Sequence, residues 1–319
     1  MPMWRRLTAH RSPGRLAFLS AVLFLSSQIV CAQDLAPRAY LITPQGSNAI
    51  TLSWSFFRGG LELPGEVPVK DATGTFSAPV VTYYRSFGFF GRSANLAVGV
   101  PYAIGTFRGT LESGTVQQIY RSGLRDSAVR FSVNLKGGPA MPLSDFVKWK
   151  QKALLGVSLK VYVPTGQYDP TKLINWGINR WAFKPEFGYS QRWGRWILDG
   201  YAGVLFFTAN PESFSRPIPK AQTLSPIVSF EGHLSYDVKR RLWFSLDGNF
   251  WTGGTATVDG VPNPDTKQTS ARIGGTASIP LNRRQSLKVS YNRGAYIRLG
   301  GDYQNLSIGW QYAWIDKRH

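Results

Sequence analysis

The residues with the most potential for chemistry lie at alternate positions of one segment, at Glu231, His233, Ser235 and Asp237. A histidine beside a serine can take the proton of its hydroxyl, and a carboxylate can orient the histidine, which is the arrangement of many hydrolases. The sequence holds three histidines, and the other two lie near the chain ends. Any histidine-dependent catalysis would therefore use His233.

These four residues share one side of a segment whose polarity alternates with period two. The other side is apolar and carries Val228, Phe230, Leu234, Tyr236 and Val238. Such alternation places one set of side chains on each face of a β-strand. The segment is therefore predicted to be a strand with a polar face and an apolar face.

About twelve segments of this kind follow one another along the chain. Each is close to the roughly 9–11 residues that a tilted strand needs to cross a bilayer. They lie at 49–57, 79–87, 95–104, 127–135, 154–163, 181–192, 196–208, 225–238, 242–250, 270–279, 287–292 and 306–314.

The connections between these segments alternate in length. Tight turns are predicted at 193–194, 239–241 and 281–284, and long loops at 59–77, 165–180, 209–224 and 253–268. The connection 136–152 is longer than a turn and has room for a short helix. Short turns at one end and long loops at the other are typical of outer-membrane barrels, and an open sheet edge cannot lie in lipid. The predicted fold is all-β, a closed antiparallel transmembrane β-barrel of about 12 strands with both termini periplasmic.

The first 32 residues have the form of a secretory signal peptide. Four arginines precede an apolar stretch at 16–30, and Ala32 ends a small-residue cleavage site. Lipidation of Cys31 is the disfavoured alternative, because 28–30 lack the small residues of a lipoprotein signal. The predicted divisions are a cleaved signal peptide at 1–32, a periplasmic N-terminal segment at 33–48, the barrel at 49–314 and a C-terminal tail at 315–319. The predicted location is the bacterial outer membrane.

Composition excludes several other classes of protein. A mean hydropathy of −0.17 is too low for a bundle of transmembrane helices, and one cysteine in 319 residues cannot form a disulfide framework. A net charge of +19 is compatible with binding to nucleic acid, but the basic residues are scattered through turns and strands rather than gathered in one patch. Nucleic-acid binding is therefore rejected, and the cationic turns are expected to contact phosphates of outer-membrane lipid.

Charged residues on the polar faces of the strands are candidates to line the lumen and the translocation path. In one interpretation a mixed, slightly basic interior attracts anionic or carboxylated aromatic solutes. In the other, acids and bases pair and fill a narrow barrel as structural packing. The candidates are Arg130, Lys160, Lys184, Glu186, Arg192, Glu231, His233, Asp237, Asp247, Arg272 and Lys288.

The segment 165–181 is the second candidate region. It combines aromatic and cationic residues, and the candidates for a loop gate are Tyr168, Lys172, Trp176 and Arg180. Such a loop can fold inward as a constriction, or it can remain outside, packed by its own aromatic residues. The sequence leaves both arrangements open.

A series of motifs in the middle of the chain is similar to a known family. Gly123-Leu124-Arg125-Asp126 is followed by the strand at 128–135, by Val163-Pro164-Thr165-Gly166-Gln167-Tyr168-Asp169 and by the segment from Asn175 to Glu186. This series resembles the outer-membrane barrels named for the meta-pathway of phenol degradation, often called transporters. The resemblance spans nearly the whole mature chain and implies a barrel that helps aromatic or other small hydrophobic molecules across the outer membrane.

The expected function is passive transport of small, hydrophobic or aromatic molecules, without catalysis, cofactor or metal. One alternative is a lipid hydrolase that uses His233 and Ser235. Outer-membrane phospholipases of similar size carry a His-x-Ser, but Asn-Gly follows their serine, whereas Tyr236-Asp237 follows here. Another alternative is a closed structural barrel that only contacts lipid. The oligomeric state is left open.

Overall fold

Strands dominate the fold. The computed structural model describes residues 35–64, 67, 69–214 and 218–316. The predicted signal peptide at 1–32 and residues 317–319 of the predicted tail lie outside the described residues. The elements are β1 (Ser47–Glu62), β2 (Val69–Phe89), β3 (Arg92–Leu111), β4 (Val116–Leu124), β5 (Ser127–Lys136), α1 (Leu143–Phe146), β6 (Ala153–Val163), β7 (Ala182–Trp193), β8 (Trp196–Phe207), β9 (Asn210–Ser213), β10 (Lys220–Leu224), β11 (Ile227–Lys239), β12 (Leu242–Gly253), β13 (Ala256–Val258), β14 (Val261–Asn263), a 3-10 turn (Pro264–Thr266), β15 (Gln268–Pro280), β16 (Gln285–Ile297) and β17 (Gly300–Ile315).

The main sheet closes on itself as an antiparallel barrel. β1 pairs with β2 on one side and with β17 on the other, from Ser47 opposite Ile315 to Glu62 opposite Gly300. β4 and β5 both pair with β3 and share one position in the wall, so the barrel has twelve strand positions. The predicted closed twelve-stranded barrel is confirmed. No helix among the described residues is long and apolar enough to span a membrane.

The two faces of the wall differ as the alternation predicts. On β12 the side chain of Leu246 points outward and is 71% exposed, whereas its neighbour Asp247 points into the barrel and is 6% exposed. On β11 the outward Phe230 is 51% exposed, and the inward Ser235 is fully buried. An apolar outer face and a polar interior are what a barrel in lipid requires.

The predicted loop at 59–77 is largely strand in the structure. β1 and β2 continue as a paired hairpin, with Gly59 opposite Gly74, and only 63–68 connect them. Gly59 is not part of a turn. It allows the neighbouring strand β17 to approach closely, because a Cβ on Gly59 would lie 2.1 Å from the carbonyl oxygen of Asp302.

The other connections follow the predicted lengths and add local structure. Residues 209–224 and 253–268 contain the short strands β9, β10, β13 and β14, which form a separate four-stranded sheet beyond the barrel. The connection 136–152 holds the short helix α1. Residues 165–181 contain no helix or strand.

Candidate functional site

The described residues before β1 place Tyr40 and Arg38 inside the barrel. Tyr40 is fully buried, and its hydroxyl lies 3.0 Å from Ser158 Oγ and donates to Glu186 Oε1 at 3.0 Å. Gly156 and Gly188 face each other across β6 and β7 and leave room for the ring, since a Cβ on Gly188 would lie 2.1 Å from it. The periplasmic location of the segment at 33–48 stays a prediction. Its described part before β1 occupies the lumen.

Arg38 fixes the same segment on the other side of the lumen. Its guanidinium lies 2.8 Å from Asp237 and 4.2 Å from the ring centroid of Trp243. Its backbone N–H donates to Asp199 at 3.2 Å. Asp237 is also bound by Arg192 at 2.7 Å. The segment is thus held by ionic and cation–π contacts as well as by packing.

A layer of paired charges crosses the middle of the lumen. Lys184 Nζ lies 2.8 Å from Glu186 and 3.0 Å from Glu231, and all three side chains are at least nine-tenths buried. Arg130 lies 3.8 Å from Glu186. Within this layer the cations Lys184 and Arg130 thus lie against the carboxylates of Glu186 and Glu231, which reduces the cost of burying them.

His233 belongs to this layer, where its nearest charged partners are carboxylates. Its Nδ1 lies 2.9 Å from Asp247 Oδ1, and its Nε2 lies 3.6 Å from Glu231 Oε2. Thr276 donates to the second oxygen of Asp247 at 2.6 Å. Ser235 lies two residues further on the same face, about 7 Å along the strand, and its Oγ has no hydrogen-bond partner among the described residues. The carboxylates hold the imidazole, and the serine is not engaged by it.

The remaining lumen candidates make other contacts on the inner face. Arg272 donates to Asn292 at 3.1 Å and to the backbone carbonyls of Gly301 and Tyr303, and so ties β15 to the start of β17. Lys160 lies over Tyr162 at 4.9 Å, and Lys288 lies 5.9 Å from the ring of Trp243. All predicted lumen candidates therefore lie on the inner face. A role for them in translocation stays a prediction.

The loop 165–181 folds inward over the end of the barrel that carries the long loops. Trp176 is 8% exposed and packs on Phe76 and Phe107, with ring centroids 5.4 and 5.7 Å apart. The carboxylate of Asp126, between β4 and β5, accepts the N–H groups of Gly166 and Ile178. Of the two arrangements that the sequence leaves open, the inward one is observed.

The other three gate candidates anchor the loop at its outer side. Arg180 is buried and donates to Gln222 at 2.8 Å, while Tyr168 donates to the carbonyl of Glu212 at 2.8 Å. Lys172 lies 2.8 Å from Asp169. The hydrogen bond from Lys172, assisted by those from Thr171, holds the pKa of Asp169 well below its usual range. These contacts fix the loop to itself and to the small outer sheet.

An aromatic cluster beneath the loop was not among the sequence candidates. Phe57 and Phe76 are register partners on β1 and β2, and their rings stack with centroids 4.4 Å apart. Tyr303 from β17 meets Phe76 edge-on at 5.2 Å. Phe57 falls at an inward position of the predicted strand at 49–57. Phe76 falls within 59–77, which the sequence predicts to be a loop, so its inward position could not be predicted.

This cluster borders an apolar cavity of about 470 Å³. The cavity lies among the ends of β1 to β4, the inward loop, Phe214 and Leu299. Its apolar lining includes Leu61, Val69, Phe107, Ile119, Leu173 and Ile174. The lumen therefore changes along its length, from apolar at the long-loop end to paired charges in the middle and the N-terminal segment at the tight-turn end.

Comparisons with solved structures agree with this architecture. The crystal structure of the COG4313 outer membrane channel from Pseudomonas putida F1 is similar, with a TM-score of 0.72 and 15% identity over 88% of this chain and 100% of that chain. The β domain of the Bordetella autotransporter BrkA is similar with a TM-score of 0.50 and 9% identity, over 85% of this chain and 100% of that chain. At these identities the likeness shows the fold alone. Among curated proteins, none matches the chain.

Family membership is shown by the sequence itself. The model of the family described as "Putative MetA-pathway of phenol degradation" matches residues 62–307, which is well over half of the chain. The matched region begins at the end of β1 and includes the inward loop, the aromatic cluster and the charged layer. The chain belongs to the MetA-pathway phenol-degradation family.

Proposed function

We propose that the barrel lies in the bacterial outer membrane and passes small hydrophobic molecules, aromatic ones included, without catalysis. The observation that carries this proposal is the apolar cavity at the long-loop end, lined mainly by aliphatic side chains and bordered by Phe107 and its aromatic neighbours. Pockets for small molecules are mainly apolar, whereas a lumen for hydrophilic solutes is lined by polar groups. The resemblance of the motifs at 123–186 to a family of transporters points the same way.

The direction of the barrel follows from its connections. In outer-membrane barrels the short turns face the periplasm and the longer loops face outside. On that basis the cavity and the loop 165–181 face the exterior, and both termini with the segment around Tyr40 face the periplasm. Solute enters at the apolar end, and passage through the axis requires the segment that holds Tyr40 and Arg38 to move.

A bacterial host that lacks hydrophobic-solute channels provides the test. Cells that express the barrel should take up labelled toluene faster than cells with an empty vector, because polar lipopolysaccharide makes the outer membrane the barrier. A variant that fills the cavity, Ala72→Trp, should slow uptake, whereas Lys148→Gln at the opposite end should not. A shift between unboiled and boiled samples on a denaturing gel checks the fold. Equal uptake with and without the barrel would favour a closed structural barrel.

Lipid hydrolysis is the rival that uses His233 and Ser235. Against it, both side chains are buried in the charged layer, where a lipid ester has no access. Purified barrel should release no fatty acid from phospholipid vesicles. Hydrolysis that disappears in His233→Ala would overturn the assignment of a channel without catalysis.

Lipid is a further partner in this proposal, at the tight-turn end of the outer wall. Arg241 donates to the carbonyls of Asn282 and Arg283 and joins two neighbouring cationic turns. Arg284 donates to the hydroxyl of Tyr312, on the outward side of β17. Cations next to interfacial aromatic rings suit anionic phospholipid headgroups. The double variant Arg283→Gln/Arg284→Gln should retain less phosphatidylglycerol in native mass spectrometry, with retained phosphatidylethanolamine as the reference.

A further inference from the structure

The apolar cavity is too large for a single aromatic ring. Its volume is about 470 Å³, whereas a dry cavity of roughly 150 Å³ already holds benzene. It falls within the range of roughly 300–1,000 Å³ typical of pockets that enclose a whole organic ligand. A single small ring would leave most of the lining without contact, so a longer apolar body fits better.

The polar side chains around the cavity carry an excess of positive charge. Arg108, Arg121 and Lys172 line it, with Glu62 as the acidic residue among its described lining. Arg121 is fixed at the edge, because its Nε donates to the carbonyl of Ile174 at 3.2 Å and one terminal nitrogen donates to the carbonyl of Tyr120 at 2.9 Å. A guanidinium held in this way favours an oxyanion at the mouth over a neutral or cationic group.

Lys172 adds a second cation close to the same mouth. It lies on the inward loop, where it pairs with Asp169 and is about half exposed. The adjacent residues, Leu173 and Ile174, turn into the cavity as part of its apolar lining. One short stretch of loop therefore presents a charge outside and hydrocarbon inside, which matches a ligand with a charged head and an apolar tail.

We propose that this cavity binds one long-chain amphipathic molecule with an anionic head, of the class of long-chain carboxylates. The tail lies against Leu61, Ile119 and Phe107, and the head lies near Arg121 and Lys172. This assignment rests on the proposed transport of hydrophobic molecules. It names long-chain carboxylates as the class of solute that the cavity selects at the entrance.

Binding to the purified full chain in nonionic detergent tests the proposal. The probe is a conjugated polyene fatty acid whose fluorescence rises in an apolar site, and the competitors are hexadecanoate, hexadecanol, hexadecyltrimethylammonium and toluene. Hexadecanoate should displace the probe with about tenfold higher affinity than hexadecanol, because a charge-assisted contact is stronger than a neutral one. Toluene and the ammonium compound should compete more weakly still. Equal affinities for hexadecanoate and hexadecanol would overturn the anionic preference.

Variants separate the cavity from the detergent micelle and from the rest of the lumen. Ala72→Trp and Leu173→Trp should each abolish most of the probe binding. Arg121→Gln/Lys172→Gln should bring the ratio of the hexadecanoate and hexadecanol affinities, both measured in the same variant, close to one, and Lys148→Gln is the matched control at the other end. Unchanged probe binding in both tryptophan variants, with the heat-dependent gel shift retained, would overturn the site.

If toluene uptake by cells persists in that case, the proposed function stands without this site. If binding is as expected but uptake is absent, the site stands and transport fails.

Discussion

The carboxylate of Asp126 accepts the backbone N–H of Ile178 at 2.7 Å, 52 residues further along the chain. Its other oxygen accepts the N–H of Gly166 at 2.9 Å. One side chain in the wall, at the break between β4 and β5, therefore holds both ends of the inward loop. Gly166 and Gly177 meet there so closely that a Cβ on Gly166 would lie 2.5 Å from the Cα of Gly177. The position of Trp176 over the aromatic cluster depends on this attachment.

Replacing this carboxylate should loosen the loop. Asp126→Ala leaves two N–H groups without their acceptor, and each such group costs about 1–3 kcal/mol if it stays unpaired. We expect faster proteolysis within 165–181 and a lower free energy of unfolding in urea. Asp126→Asn keeps one acceptor oxygen and should lie between the wild type and Asp126→Ala. Proteolysis at the wild-type rate in Asp126→Ala would show that the loop is held by other contacts.

Removing the Tyr40 ring should open the tight-turn end of the lumen. Tyr40→Ala empties the space that Gly156 and Gly188 leave between β6 and β7, so single-channel conductance in planar bilayers should rise. Tyr40→Phe keeps the ring and loses only the hydroxyl contacts to Ser158 and Glu186. Its conductance should stay close to that of the wild type. A conductance that is equal in all three proteins would mean that this segment does not limit ion flow.

The ion pairs of Lys184 should matter for stability. Lys184→Met leaves Glu231 and Glu186 buried beside each other without their shared cation, and breaking a buried pair in this way costs about 3–5 kcal/mol. The free energy of unfolding in urea, measured in lipid vesicles, should fall by about 3–5 kcal/mol. Lys184→Met/Glu231→Gln should recover part of the loss, because one of the two carboxylates that lost the lysine no longer carries a charge. Lys148→Met, an exposed lysine in the connection that holds α1, is the control and should change little.

Alternation along the chain was enough to predict the wall and the inner face. A strand between lipid and a polar lumen must alternate, so the faces of β11 and β12 follow directly from residues such as Phe230 and His233. The same reasoning placed Lys184, Glu186 and Glu231 in the lumen. It could not show which of them pair, because pairing across the lumen depends on the diameter and register of the closed barrel.

The contents of the barrel were harder to predict, because they lie outside the alternating pattern. Gly156 and Gly188 both point inward and are register partners, which leaves a hole in the lining. Nothing in the sequence around Tyr40 shows that this ring fills it, since a short irregular segment has no periodicity. In the same way, the glycines at and near Gly59 predict a loop from the sequence. Only the structure shows that Gly59 lies in a strand and is needed because the carbonyl of Asp302 approaches it closely.

The ion pair between Asp169 and Lys172 should make the order of the loop depend on pH. The contacts of Lys172 and Thr171 lower the pKa of Asp169 in the folded loop below the ordinary value of 3.8. A carboxyl group with a lowered folded pKa stabilises the folded form fully above its unfolded pKa, and that contribution is lost as the pH falls towards the folded pKa. Protection of the amides of 165–181 from hydrogen exchange, corrected for intrinsic rates, should therefore be constant from neutral pH down to about 5 and decline below about 4. Asp169→Asn should be less protected at neutral pH and should show a smaller decline, because its side chain does not titrate. If both proteins lose protection equally below about pH 4, the decline comes from other carboxyl groups and the ion pair does not order the loop.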